Sequence, residues 1–207
     1  AVALLMKDSV ARVEDNLRAL ESELAPATFG DLVGAARRAW GALREGLDAS
    51  PRASELPRLD ALAEAVLANA DALVLALESS GLAQPVGVVN AAGRQRMLSQ
   101  RMAKLALLLP TAPDAQAVQQ ALAAVEADFA AGLRQLEAAP LSTPAIRDLL
   151  AQGRAAWEQL LATVPQAGQP GGRMQLAAAS EDLLTVFDRL TEAYQHSVEV
   201  LVGTPGG

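Results

Sequence analysis

Val13-Glu14-Asp15-Asn16-Leu17-Arg18-Ala19-Leu20-Glu21-Ser22-Glu23-Leu24 steps from one apolar residue to the next by four, three and four positions. At ~100° per residue, that spacing lays one stripe along a helix and suits near-parallel packing in a bundle. A similar stripe recurs far along the chain at Leu176, Leu183, Phe187, Leu190 and Leu201, with Ala, Tyr and Val between them. Between the two stretches, prolines at 26, 51, 85, 110, 113, 140, 144, 165 and 170 leave segments of helical length. The predicted helices are 2–24, 28–48, 54–80, 85–109, 114–139, 143–164 and 173–202. Thr28, Ser54, Asp114 and Thr143 sit at their starts as candidate caps. Strand formers are sparse, so the expected fold is all-α, an up-and-down helical bundle of about seven helices.

The chain also repeats itself. Asp31, Leu32, Arg37, Ala39, Trp40 and Leu43 are matched in type and spacing by Asp148, Leu149, Arg154, Ala156, Trp157 and Leu160. Upstream, Val13-Glu14 with Leu17 echoes Val125-Glu126 with Phe129. The expected organisation is a first helical repeat over 1–82, a second over 83–203, and a tail over 204–207. Only the second repeat carries helix 85–109; the first either lost its counterpart or was trimmed of it at residue 1. Trp40 and Trp157, at equivalent positions on apolar stripes, read as helix-packing residues.

Composition narrows the function. Apolar residues are 51% of the chain and aromatics only 3%, so the core must rely on closely approaching helices. A net charge of −7 argues against nucleic acid and against peripheral attachment to anionic lipid. The absence of cysteine removes disulfides, zinc–thiolate sites and thiol nucleophiles. No stretch reaches the ~20 apolar residues of a membrane span, since Asn69 and Asp71 break the most apolar run, Val66 to Leu77. Ala1 to Met6 is too short for a signal core. His196 is the only histidine and reads as a surface or capping residue. Gly168 to Gly172 reads as a loop without a phosphate-binding signature. No metal ligands cluster, no cofactor is implied and no catalytic constellation is found, so an enzyme is not expected.

One helix does not read as scaffold. Asn90-Ala-Ala-Gly93-Arg94-Gln95-Arg96-Met97-Leu98-Ser99-Gln100-Arg101-Met102-Ala-Lys104-Leu105 holds three arginines and a lysine within eleven residues of an acidic protein. Leu98, Met102, Leu105 and Leu109 share the stripe expected to face the core. Arg96 falls roughly opposite, with Gly93, Gln100 and Lys104 beside it, and Asn90, Arg94 and Arg101 flank the boundary. The plainest interpretation is an amphipathic helix with a solvated basic face, with Met97 and Met102 as adaptable core filler. Against it, Gly93 mid-helix costs ~1 kcal/mol relative to alanine, which close approach of another backbone would explain. The basic residues also lack acidic partners at i±4 in their own helix, so another helix, solvent or a bound anion must balance them.

The stretch Asn90 to Lys104 resembles the signature helix of the PilJ-type domain, the N-terminal sensor region of type IV pilus methyl-accepting chemotaxis transducers. That domain is similar to the periplasmic nitrate/nitrite-sensing region of NarX-type histidine kinases. The resemblance implies an all-α bundle that forms a homodimer with two signature helices face to face, in the periplasm. It further implies a nitrate or nitrite ion held at the dimer axis by an arginine from each copy, here Arg96, with Gly93 and neighbouring backbone close by. The candidate ligand-binding set is therefore Arg96, Gly93, Asn90, Met97, Gln100, Arg94 and Arg101. The expected partners are a small anion, a second copy and a signalling protein. A reading from another class makes the same helix a ligand-free module that docks an acidic surface of a pilus or chemosensory protein.

Overall fold

The computed structural model describes residues 2–49, 52–79 and 87–202. The tail 204–207 and residues 80, 85 and 86 of the predicted helices lie outside them. Among the described residues there are seven α-helices, three single turns of 3₁₀ helix and no strand. The chain divides into two compact units, 1–83 and 84–207. No helix among the described residues is long and apolar enough to cross a membrane.

The first unit consists of α1 (Val2–Glu23), α2 (Pro26–Asp48) and α3 (Leu56–Ser79), each packed on the next. Pro26, expected to lie outside its helix, begins α2 instead, so Thr28 is not a cap. Its fixed φ suits the first helical position, where a missing N–H costs nothing. Ser54 likewise falls within a 3₁₀ turn, Ala53–Glu55, whose Glu55 carboxylate accepts from the Arg52 backbone N–H at 2.9 Å. The α1 stripe packs Leu17 against Ala36 and Trp40 of α2, while Phe29 and Val33 meet Leu73 of α3. Glu14 ties the α1/α2 seam: it accepts from Trp40 Nε1 at 2.8 Å, Arg44 Nη1 at 3.0 Å and Arg37 Nη1 at 3.1 Å. These donors, the indole foremost, hold its carboxyl below the ordinary range against the opposing push of burial. Arg37 also grips Glu21 with two nitrogens.

The second unit is a four-helix up-and-down bundle. Its helices are α4 (Gly87–Leu108), α5 (Ala115–Glu137), α6 (Pro144–Thr163) and α7 (Pro170–Val202). Each packs beside the next, and α7 closes against α4. Asp114 and Thr143 cap α5 and α6, accepting from Ala117 and Ile146 N–H groups at 2.9 and 3.2 Å. The glycine-rich stretch read as a loop is partly helix, since Pro170 occupies the first position of α7. Gly172 is obligatory there, because an added Cβ would lie 1.8 Å from the Gln166 carbonyl oxygen.

Leu176, Leu183, Phe187, Leu190 and Tyr194 of α7 are fully buried, as the stripe predicts; the side chain of Leu201 lies outside the described residues. Phe129 of α5 stacks flat on Trp157 of α6 with ring centroids 3.8 Å apart. Arg154, one turn before that tryptophan, pairs with Glu137 of α5. Arg37 and Glu21 make the corresponding pair one turn before Trp40 in the first unit.

Candidate functional site

The basic helix is α4, and it is gripped on two sides, by α5 and by α7. Ala92, Gln95, Leu98, Ser99, Met102, Ala103, Leu105 and Ala106 are buried. At ~100° per residue they span about 160° of the helix, wider than the stripe read from the large apolar residues alone. Ala92, Gln95, Ser99, Met102 and Ala106 form a three-four-three-four series of their own. Two members of that series are polar and two are alanine, so hydropathy did not single it out.

The two fully buried polar residues of α4, Gln95 and Ser99, are both satisfied. Ser99 donates to the Arg96 carbonyl at 2.7 Å. Gln95, fully buried, lays its amide against the backbone of α5. In the orientation that satisfies both partners, its nitrogen donates to the Phe129 carbonyl at 3.3 Å and its oxygen accepts from Leu133 N–H at 3.2 Å. Gly132 makes the room, because a Cβ there would fall 1.8 Å from the end of that amide. Gln95 thus fixes the register of α4 on α5 from the position next to Arg96.

Arg96 is not directed away from its own bundle as the helical wheel suggested. It leans along α7, with Nε 2.5 Å from Asp188 Oδ1, and the two side chains are 39% and 35% exposed. Another helix therefore supplies the balancing charge. One turn on, Gln100 donates to Ser180 Oγ of α7 at 2.9 Å. The structure thus brings Arg96 and Gln100 together on the α7 edge.

The other candidates are placed differently. By helix phase, Asn90, Gly93, Met97 and Lys104 fall on the side turned from α5 and α7, all half-buried. Arg94 is exposed and Arg101 half-buried, toward the α5 edge of that side. Met97 touches the rim of the core. A Cβ at Gly93 would meet no described atom within 4 Å, so its own unit gives that glycine no packing reason.

Asp188 and Ser180 were not legible as site neighbours, because contacts between residues so far apart in sequence leave no local pattern. The remaining features of the chain hold none of the candidate residues. A cleft of about 260 Å³ in the first unit is lined by Glu45, Gly46, Ala49, Glu55, Arg58 and Leu59. Among the described residues no His, Asp and Glu side chains group to hold a metal ion. His196 is exposed.

The second unit is thus a four-helix bundle with α4 wedged between α5 and α7, Arg96 and Gln100 on its α7 edge and an open glycine at 93. The family model for the type IV pili methyl-accepting chemotaxis transducer N-terminal domain, PilJ, matches residues 79–183, 105 of the 207. The chain belongs to that family, a non-enzymatic signalling family. No curated protein and no solved structure matches the chain.

Proposed function

We propose that this chain is a periplasmic sensor domain that binds a small anion, nitrate or nitrite, between the α4 helices of a homodimer. Arg96 is the chief donor. The observation that carries the proposal is Gly93 of α4, where an added Cβ would meet no described atom within 4 Å. A second α4 packed there would give the glycine the reason its own unit lacks. Nitrate is planar with delocalised charge, which matches a guanidinium fork, and two forks about a two-fold axis satisfy it from both sides. Binding signals only if it favours one packing of the helices over another. The matched tryptophan helices, each with its Arg–Glu pair, support reading the two units as copies of one plan.

The test is isothermal titration of the chain with nitrate, nitrite, chloride and sulfate, alongside its mass in solution. About one nitrate or nitrite per two chains is expected from a 1:2 clamp. Arg96→Gln should abolish the heat while leaving the circular dichroism of the fold intact, and retained affinity would remove the site. Without any anion heat from a folded dimer, the alternative gains: a ligand-free interaction module of a pilus or chemosensory system. The exposed guanidinium of Arg94 is the feature that favours this second reading.

Gly93→Ala separates the roles of the glycine. Replacing a mid-helix glycine with no steric neighbour stabilises a single chain by about 0.5–1 kcal/mol. The added methyl groups also push two facing helices apart. A raised thermal midpoint with weakened self-association and anion binding is therefore expected, whereas unchanged association would place the interface elsewhere.

A further inference from the structure

Arg96 already has an anionic partner, and the nature of that partnership is informative. The Asp188 carboxylate lies 2.5 Å from Arg96 Nε as a charge contact without hydrogen-bond geometry, and although that nitrogen is itself shielded from solvent, the guanidinium carries further N–H donors. Both side chains are more than a third exposed. A pair so placed is worth little and re-forms its hydration readily, whereas a buried pair would be locked by the penalty of leaving one charge unmatched. The carboxylate is also tethered. On the neighbouring helix it competes for the guanidinium at a high effective concentration. Any dissolved anion that takes Arg96 meets both that competition and the repulsion of a negative charge beside it.

From this arrangement we infer that Asp188 is a displaceable resident counter-ion, which sets the anion affinity of Arg96 and couples occupancy to the α4/α7 seam. The inference rests on Arg96 being the anion donor. Two of the polar contacts described at the seam lie on adjacent turns of α4, Arg96 to Asp188 and Gln100 to Ser180. The tie to α5, through Gln95, lies in the core and does not involve Asp188. An anion that draws Arg96 from Asp188 therefore changes a polar contact at the edge of the α4/α7 seam, while the buried packing of α4 on both neighbours stays in place. The helix that carries Asp188 is the longest among the described residues, 33 residues, about 50 Å at 1.5 Å per residue. A local exchange of counter-ions thereby acts on an element that runs the length of the bundle.

The inference is tested by titrating nitrate and nitrite into the full chain at low ionic strength, comparing wild type, Asp188→Asn, Asp188→Glu and Arg96→Gln. Asp188→Asn removes the competitor with almost no change of shape, and should bind about tenfold tighter than wild type, as expected for one nearby charge in a partly solvated site. Asp188→Glu keeps the charge and should stay within about twofold. Wild-type binding with an unchanged or weaker Asp188→Asn would overturn the competition and leave Arg96 as the anion site. Absence of anion binding in wild type and Asp188→Asn alike would overturn the inference together with the proposed function. Unfolding of Asp188→Asn, read by circular dichroism, would also overturn it, because a displaceable surface pair does not hold a bundle together.

Discussion

Phe129→Ala is expected to lower the stability of the second unit by about 3–5 kcal/mol, the range for emptying a fully buried aromatic site. The chain has only six aromatic residues, three Phe, two Trp and one Tyr. Four of them, Phe129, Trp157, Phe187 and Tyr194, are buried in this one core. Phe129 lies flat on Trp157, at 3.8 Å and 8°, and meets the edge of Phe187, at 5.5 Å and 84°. Removing it therefore opens gaps against α6 and α7 together and forfeits two ring contacts, each worth about 0.5–1.5 kcal/mol beyond area burial. The surrounding helices have little scope to close the gap. Gly153 of α6 is already so near α7 that a Cβ there would sit 3.1 Å from the Phe187 ring. Denaturant unfolding followed by indole fluorescence is the measurement, in a Trp40→Phe background that leaves Trp157 as the only reporter. A loss below ~1.5 kcal/mol would mean that the bundle collapses into the space, and that its core is less rigidly packed than native interiors generally are.

The fold class was legible because period survives in a sequence even where chemistry is monotonous. Leu176, Leu183, Phe187 and Leu190 are fully buried where the spacing put them, and Asp114 and Thr143 cap the helices they precede. The errors have a common cause, which is competition between local signals. Thr28 and Ser54 are good caps by type, yet Pro26 starts α2 earlier and the Arg52–Glu55 turn pre-empts Ser54. Glycines at 171 and 172 signal a break, but Pro170 outweighs them by beginning a helix. In α4 the wheel was centred on its large apolar residues, so alanines and a glutamine that face α5 and α7 were assigned to no surface. The Arg96–Asp188 pair is beyond any local pattern, since it depends on how α4 and α7 align across the whole bundle. The motif singled out α4 in the sequence; only the fold shows what its arginine touches.

Gly132→Ala is the sharper test of how α4 is held, because two effects of opposite sign meet at one atom. Mid-helix, alanine is favoured over glycine by ~1 kcal/mol, and at an open position that term would prevail. Here the new Cβ would lie 1.8 Å from the Gln95 amide, which is fully buried and has nowhere solvated to go. Overpacking costs about 1–3 kcal/mol, and driving a buried amide off its partners costs a similar amount. The net expectation is a loss of about 2 kcal/mol, read as a shift of the denaturation midpoint at unchanged slope. Gln95→Ala alone should also destabilise, since it empties the same space and ends the contacts to Phe129 O and Leu133 N. Combined, the two changes relieve each other: the methyl group at 132 occupies part of what the shorter side chain at 95 vacates. The double variant should therefore be more stable than the sum of the single losses implies, by at least ~1 kcal/mol in the thermodynamic cycle. Additive losses would mean that the two residues do not share that space, and that the register of α4, and with it the position of Arg96, is set by packing alone.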